Sequence, residues 1–133
     1  MISALPRVVR HALVALAAAA SLFGGAARAD DGENLHDAQV PIGDPAAIEL
    51  GKAKYGEKCG GFCHGSGGKG ARAPCLVCGR FKRGAKDSDL VRNITEGVAG
   101  TGMGAFGGMY SGDEIKALVA YLRDEQRQRE AAQ

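Results

Sequence analysis

Residues 59–64 have the sequence Cys59-Gly60-Gly61-Phe62-Cys63-His64, which places two cysteines and a histidine within six residues. Two nearby thiols followed directly by a histidine are typical of covalent haem attachment, in which the thiols bond to the haem vinyl groups and the imidazole binds the iron. The usual spacer between the cysteines has two residues, whereas this one has three. We predict one covalent haem c bonded to Cys59 and Cys63 through a bulged loop, with His64 as an axial ligand. Gly60 and Gly61 would supply the backbone freedom for the bulge. Bonding through Cys63 alone is the alternative.

The first 29 residues (1–29) have the pattern of a cleaved secretory signal peptide. Arg7 and Arg10 precede the apolar run 12–23, and a small-x-small cleavage site ends at Ala29. The uncharged span of 17 residues is shorter than the ~20 residues that a membrane-spanning helix usually needs. We therefore expect cleavage after Ala29, export to the periplasm and no stable membrane insertion of the cleaved protein. In that oxidising compartment, thiols pair or become ligated.

The remainder of the chain divides into an acidic arm and one small domain. Residues 30–45 are acidic, contain two prolines and have no periodic pattern, which predicts an extended arm. Residues 46–133 carry the cysteine motif and predict a single domain. This domain is small for one apolar core, and the chain has no Trp. A large apolar cofactor would supply the missing core.

Charge is distributed unevenly along the chain. Residues 30–50 contain six acidic side chains and no Lys or Arg, residues 51–86 contain nine basic side chains and one acidic side chain, and residues 87–133 contain five basic and eight acidic side chains. The basic block includes the cysteine motif. A field of one sign around a redox centre raises the association rate with a partner of the opposite sign. We therefore expect an acidic redox partner protein; a solvated face without such a role is the alternative.

The sequence pattern predicts helices and no strands. A first helix should run from about Pro45 to Lys58, since proline suits the first helical turn. A second helix should span 87–97, with an Asp or Ser cap at its start and a glycine at its end. Long glycine-rich loops before and after this second helix would line the cofactor. The fold class is therefore all-α.

The last helix has the clearest signals. Ser111 and Glu114 form a capping box at its start. An apolar face follows at helical spacing and comprises Ile115, Leu118, Val119 and Leu122, with Tyr121 beside them. The polar end, residues 126–133, is expected to fray.

The second axial ligand should come from a methionine. Met103 and Met109 both lie in the glycine-rich loop 98–110. A thioether ligand favours ferrous iron and raises the reduction potential. Met103 sits between glycines and on no apolar stripe, so it is the predicted ligand and Met109 is the fallback. Ligation by two histidines would have to use His36, in the acidic arm.

The order of residues across 46–125 resembles that of class I cytochromes c. The matching positions are Tyr55, Cys59, Cys63-His64, Pro74, Leu76, Met103, Ala105-Phe106-Gly107, Tyr110-Ser111 and the last helix from Ile115 to Leu122. The resemblance implies the class I cytochrome c fold, with three main helices and long loops around one covalent haem. It also implies that the first and last helices cross, with Gly51 and Tyr55 against Leu118, Tyr121 and Leu122.

The same resemblance implies roles around the haem. The carbonyl of Pro74 would accept the ring N–H of His64, a bond that fixes the orientation and basicity of an axial imidazole. Met103, within Met-Gly-Ala-Phe-Gly, occupies the distal-ligand position, and Leu76 and Phe106 would pack against the haem. With both axial positions filled, the iron cannot bind substrate, so we expect a monomeric electron carrier and no enzyme activity.

The segment 73–84, which contains Cys75 and Cys78, looks like that of a bacterial subgroup of small periplasmic cytochromes c linked to quinoprotein methanol or alcohol oxidation. This similarity implies a quinoprotein dehydrogenase or another cytochrome as electron donor, and an oxidase or membrane complex as acceptor. In an oxidising compartment, Cys75 and Cys78 would form a local disulfide that stiffens the loop. A redox-active dithiol is the alternative.

Two other functions use the same cysteines. Cys59-x3-Cys63 and Cys75-x2-Cys78 also match the knuckles of a four-cysteine zinc-binding module, for which the basic loop would suggest nucleic-acid binding. The signal peptide, the adjacent histidine and the missing strand pattern oppose this hypothesis, so we expect no nucleic-acid partner. A periplasmic thiol–disulfide protein would use Cys75-x2-Cys78, but the βαβ setting of that motif is absent.

Overall fold

The computed structural model describes residues 36–133. The predicted signal peptide 1–29 and the start of the arm, 30–35, lie outside the described residues. Within 36–133 there is no strand, and the elements are α1 (Pro45–Lys58), a π-helical turn (Gly60–His64), a short 3-10 turn (Ser66–Gly68), α2 (Asp87–Glu96) and α3 (Gly112–Ala131). None of the helices in this part of the chain is long and apolar enough to cross a membrane. The all-α prediction is confirmed.

Helix α1 has the predicted bounds. Its first residue is Pro45, and the side chain of Asp44 accepts a hydrogen bond from the Ala46 N–H at 2.9 Å. At the other end, the Cys59 N–H still donates to the carbonyl of Tyr55 at 2.9 Å. The cysteine motif therefore begins where α1 ends.

Helices α1 and α3 cross in close contact, as the resemblance implied. A Cβ atom built on Gly51 would lie 2.0 Å from the Ala117 carbonyl oxygen and 2.9 Å from Cβ of Tyr121. The rings of Tyr55 and Tyr121 are 5.3 Å apart between centroids. The buried core around this crossing comprises Tyr55, Tyr110, Ile115, Leu118, Tyr121 and Leu122. Only a residue without a side chain lets the two backbones approach so closely.

The capping box at the start of α3 is present. The Ser111 N–H donates to Glu114 Oε2 at 2.8 Å, and the Glu114 N–H donates to Ser111 Oγ at 3.2 Å. Helix α3 continues to Ala131, through most of the polar end that was expected to fray, and residues 127–133 are exposed. Gln126, the first residue of this end, is buried and bonded to the loop after Pro74, so packing holds it in place.

Helix α2 starts differently from the prediction. Asp87 is the first residue of the helix and not its cap, and its carboxylate is fully buried against Arg123. The N–H of Ser88 donates to Asp37 at 2.9 Å, so a residue of the arm satisfies the start of the helix. The predicted glycine at the end of α2 is present, since Gly97 has a φ of 76°.

The described part of the arm, residues 36–44, contacts α2. Nδ1 of His36 lies 2.8 Å from Asp87 Oδ2, and Ser88 Oγ donates to Asp37 Oδ2 at 2.6 Å. These contacts join residues that are 51 positions apart in sequence. The arm is therefore part of the packed structure from His36 onwards.

Candidate functional site

The segment between the two cysteines of the motif forms a π-helical turn. The His64 N–H donates to the carbonyl of Cys59 at 2.9 Å, five residues earlier. A π turn inserts one residue relative to an α-helix and is frequent at functional sites. The three-residue spacer is therefore accommodated by a wider turn. Cys59 and Cys63, at the start and near the end of this turn, both have free thiols and are half-buried.

The two spacer glycines act differently from the expectation. Neither Gly60 nor Gly61 has a positive φ, so the turn does not use the backbone freedom specific to glycine. A Cβ on Gly60 would instead lie 2.8 Å from Cε1 of Tyr55, whereas a Cβ on Gly61 would meet no atom within 4 Å. Gly60 is needed because the turn passes close to a core aromatic ring.

The Cys59 thiol is in an apolar setting. It packs against the core at the crossing of α1 and α3. Burial, and secondarily the neighbouring Cys63, raises the pKa of Cys59 to about 11. Because this pKa is far above neutrality, the thiol is protonated at pH 7 in this fold.

His64 is buried and oriented by one hydrogen bond. Its side chain is at the end of the π turn, and the residue is 8% exposed. Nδ1 lies 2.9 Å from the carbonyl oxygen of Pro74, so the ring N–H is donated there. Among the described residues no hydrogen bond involves Nε2, so this nitrogen keeps some solvent contact and is left as a lone-pair donor. A neutral imidazole with one nitrogen bonded to a carbonyl and the other available is the arrangement of a metal-binding histidine.

The loop after Pro74 is held by a disulfide and by two hydrogen bonds to its backbone. Cys75 and Cys78 form a disulfide. The Leu76 N–H donates to the Gly68 carbonyl at 2.7 Å, and the Leu76 carbonyl accepts from Gln126 Nε2 at 2.8 Å. Leu76 is half-buried and packs against the core.

Sequence analysis missed Gln126 as a contributor to this site. A signal existed: Gln126 lies four residues beyond Leu122 and eight beyond Leu118, on the same face of α3. A polar residue in line with an apolar face is buried when it has a partner, and here that partner is a backbone carbonyl.

The two candidate methionines have different environments. Met103 is half-buried, whereas Met109 is 57% exposed. The Val98 N–H donates to the Met103 carbonyl at 2.9 Å, and the Met103 N–H donates to Thr101 Oγ1 at 3.2 Å. These bonds fix the backbone of the loop at Met103, and Met109 is left at the surface.

The loop that carries both methionines is anchored to α2. The N–H groups of Phe106 and Gly107 each donate at 3.0 Å, to the carbonyls of Ile94 and Thr95 respectively. The Phe106 ring is half-buried, lies nearly parallel to the Tyr110 ring at 6.0 Å, and packs against the core. The structure thus joins this loop to both α2 and the main core.

Two alternatives remain from the sequence: His36 as an axial ligand and a four-cysteine zinc site. His36 contacts Asp87 of α2, as described above, and its side chain is 53% exposed. Within residues 36–133, no three His, Cys, Asp or Glu side chains come together as a metal-binding group. Cys75 and Cys78 are bonded to each other and so are not four-cysteine zinc ligands with Cys59 and Cys63.

The residues present fit a covalent c-type haem. The two free thiols and the available imidazole nitrogen lie within one short turn, which matches the donor set of that group. Large apolar side chains are also left at the surface, including Phe62 at 68% exposure. Half-buried Leu76 and Phe106 each pack on the core and keep part of their apolar surface uncovered. An apolar ring system would cover such surfaces.

Comparison with known proteins gives consistent matches. Residues 46–122 match the family described as "Cytochrome C oxidase, cbb3-type, subunit III". The cbb3-type cytochrome c oxidase subunit CcoP of Azospirillum sp. (strain B510) is 33% identical over 89 residues, which cover 57% of this chain and 30% of that protein. The chain thus spans less than a third of the length of that relative.

A solved structure supports the fold. The crystal structure of cytochrome CL from the marine methylotrophic bacterium Methylophaga aminisulfidivorans MPT matches with a TM-score of 0.57 and 26% identity, covering 64% of this chain and 61% of that one. The predicted resemblance to cytochromes c is therefore confirmed. Because the family match covers more than half of the chain, the protein belongs to the cytochrome c family, whose members bind a c-type haem covalently and carry electrons without being enzymes.

Proposed function

We propose that the protein is a periplasmic single-electron carrier whose haem c is bonded to Cys59 and Cys63 and ligated by His64 and Met103. The observation that carries this proposal is the hydrogen bond from His64 Nδ1 to the Pro74 carbonyl at 2.9 Å, in a turn that also holds two free thiols. When bound, the haem iron would take up and release one electron. The side chains around the haem would set its reduction potential, because they stabilise the ferric and ferrous states to different extents.

His64 would act as the proximal ligand. Its Nδ1–H is donated to Pro74, which fixes the tautomer and leaves Nε2 to bind the metal. The imidazole is buried, at 8% exposure, so its ring is held in place by packing as well as by this bond. The hydrogen bond increases ligand basicity, so it favours the ferric state and tunes the potential downwards.

Cys59 and Cys63 would form the two thioethers. The π turn keeps both thiols within one short segment despite the extra spacer residue. Each thiol would add its S–H across a haem vinyl group, so that no atom is lost in forming the bond. Burial raises the pKa of Cys59 to about 11 in the folded chain, so its thiol is less reactive there than an exposed one.

Met103 would be the distal ligand, with Leu76 and Phe106 packing beside the haem. Its half-buried position and its fixed backbone support it over the exposed Met109. Met103→Ala should lower the reduction potential and allow carbon monoxide to bind the ferrous protein, because a thioether stabilises ferrous iron. Met109→Ala is the matched control in the same loop and should do neither. Equal behaviour of the two variants, or the effect at Met109 alone, would contradict the assignment.

The chain would be divided as the sequence predicts: a signal peptide 1–29, an acidic arm 30–45 and a cytochrome c domain 46–133. Support comes from the charge and hydropathy pattern of the first 29 residues. Expression in a bacterium that matures c-type cytochromes, followed by intact mass of the periplasmic protein, should give an N-terminus at Asp30. Labelling with iodoacetamide should add two groups to the haem-loaded protein only after reduction, at Cys75 and Cys78. Labelling without reduction would contradict the disulfide.

The partner would be an acidic redox protein, such as a quinoprotein dehydrogenase or another cytochrome as donor and an oxidase or membrane complex as acceptor. The excess of basic residues in 51–86 supports an acidic partner. The similarity to a cytochrome from a methylotroph supports a role in methanol or alcohol oxidation, and the similarity to an oxidase subunit supports a respiratory acceptor. Stopped-flow mixing at low salt, of the oxidised protein with each reduced donor class and of the reduced protein with each oxidised acceptor class, would distinguish them. An acidic partner that accepts electrons no faster than a basic one would contradict the proposal.

A further inference from the structure

A buried polar network lies between α3, α2 and the loop after Pro74. It consists of Asp87, Arg123 and Gln126, which are 0%, 6% and 8% exposed. Arg123 Nε donates to Asp87 Oδ1 at 2.7 Å, and Arg123 NH1 donates to Gln126 Oε1 at 2.9 Å. None of the three is in the haem-attachment motif.

The network ends on two backbone carbonyls of the segment between the 3-10 turn and α2. Gln126 Nε2 donates to the Leu76 carbonyl at 2.8 Å, and Arg123 NH2 donates to the Ala85 carbonyl. The N–H of Leu76 is also bonded, to the Gly68 carbonyl at 2.7 Å. Both polar groups of the Leu76 backbone are therefore fixed.

Leu76, whose backbone is fixed, lies two residues after Pro74, whose carbonyl orients His64. Only Cys75 separates Leu76 from Pro74, and Cys75 is itself held in the disulfide with Cys78. The ring of Pro74 fixes its φ and Cys75 is the single residue between it and Leu76, so few backbone torsions remain by which the Pro74 carbonyl could move independently of Leu76. A shift of Leu76 would therefore also move the Pro74 carbonyl, which accepts the His64 Nδ1–H.

Stability alone does not account for such a network. Replacing a buried ion pair by apolar side chains of similar volume is often neutral or stabilising, because the desolvation of the charges is costly. A fully satisfied buried network does, however, select one arrangement of the groups it joins. Among the described residues, no buried side-chain nitrogen or oxygen atom is left without a partner.

We propose that Gln126, held by Arg123 and Asp87, is a positioning residue for His64 and so tunes the reduction potential of the bound haem. This inference rests on the proposed function, since it takes His64 to be the axial ligand. Loss of the bond from Gln126 would let the Leu76 segment shift and would weaken the His64–Pro74 hydrogen bond. A weaker bond makes the imidazole less basic and the ferric state less favoured, so the potential rises.

The test compares Gln126→Leu with Gln128→Leu in the haem-loaded protein. Gln128 is an exposed residue on the same helix, bonded to Asp124 at 2.6 Å. Protein-film voltammetry should show that Gln126→Leu raises the potential, with the ferrous-to-ferric ratio at the wild-type midpoint rising about threefold. This is roughly 28 mV at 59 mV per tenfold for one electron. Gln128→Leu should leave the potential unchanged.

A second readout follows the hydrogen bond itself. Exchange of the His64 Nδ1–H with solvent, followed by NMR, should be faster in Gln126→Leu than in wild type, because a weaker hydrogen bond to Pro74 opens more often. Where Gln126→Leu does not fold, Gln126→Met conserves the volume and removes the same donor. Unchanged potential and exchange in the folded variant, with only lower stability, would overturn the proposal.

Failure of this inference is distinguishable from failure of the proposed function. If His64 is not an axial ligand, its ring signals in the oxidised wild-type protein lack the large contact shifts of an iron-bound imidazole, and this is seen before any variant is made. If those shifts are present and Gln126→Leu behaves like Gln128→Leu, only the positioning role is wrong.

Discussion

The crossing of α1 and α3 predicts a sharp difference between two glycine-to-alanine substitutions in the same helix. A Cβ at Gly51 would lie 2.0 Å from the Ala117 carbonyl oxygen, whereas a Cβ at Gly56 would meet no atom within 4 Å. Contacts between non-bonded heavy atoms are optimal at about 3.5–4.0 Å. Gly51→Ala therefore requires the two helices to separate by more than about 1 Å, and Gly56→Ala requires no movement.

The expected magnitude follows from two opposing effects. Both substitutions gain about 0.5–1 kcal/mol, because alanine is the better helix former. Gly51→Ala also carries an overpacking cost of about 1–3 kcal/mol, and a gap of roughly 0.5–1 Å along the helix interface loses a quarter to a half of the local dispersion energy. We expect the free energy of unfolding of Gly51→Ala to be about 1–3 kcal/mol below that of Gly56→Ala. For a domain of this size, each kcal/mol lowers the melting temperature by roughly 4–8 °C.

The assay is urea and thermal unfolding of both variants at equal haem loading, followed by far-ultraviolet circular dichroism. The covalently attached cofactor remains on the unfolded chain, so the comparison is made within one covalent species. Gly56→Ala should be at least as stable as wild type. If Gly51→Ala is as stable as Gly56→Ala, the close approach of the helices is refuted.

Three further predictions use other contacts. Ser111→Ala removes the cap of α3 and should lower the free energy of unfolding by about 1 kcal/mol, measured by urea unfolding; no loss would contradict the capping box. Hydrogen bonds from Ser88 lower the pKa of Asp37 below its ordinary value, so its contribution to stability is complete above the ordinary pKa of ~3.9 and is lost as the pH falls through the lower folded-state value. Between about pH 5 and pH 2, the free energy of unfolding of wild type should therefore fall more steeply than that of Asp37→Asn, which lacks the titrating carboxylate. Electron transfer to an acidic partner should slow as ionic strength rises from about 0.01 to 0.1 M, because the Debye length falls from about 30 to 10 Å; a flat profile would contradict steering by the basic block.

Much of the fold was predictable because its signals are local. Proline at the start of α1, the capping box of α3 and the glycine after α2 each act within a few residues, and each lies where the sequence places it. The crossing of α1 and α3 came from the family resemblance, since the contact between Gly51 and Ala117 joins distant parts of the chain.

The parts that were not predictable depend on long-range partners. Asp87 looked like a helix cap because an acidic residue before a helix usually is one. It is instead buried, because Arg123 lies opposite it in the fold. The same partner explains why Gln126, at the start of the polar end of α3, is buried, since Arg123 also holds Gln126.

The cofactor could be predicted from residue types, whereas the geometry of the turn that would hold it could not. The cysteine–histidine motif implied the cofactor, but the π turn that accommodates the extra residue follows from hydrogen bonding between Cys59 and His64. Gly60 was expected to provide backbone freedom, whereas the structure requires it for space beside Tyr55. Such close approaches of backbone to a core ring have no counterpart in a single sequence.

Covalent attachment of haem through Cys59 and Cys63 is the central claim, and intact mass after acid–acetone extraction tests it most directly. The wild-type protein should keep its colour through extraction and have the mass of the cleaved chain plus one haem. Cys59→Ala should keep the haem through Cys63 alone, with the reduced α-band shifted by the one free vinyl group. A colourless wild-type protein, or one whose haem is extracted, would contradict the account.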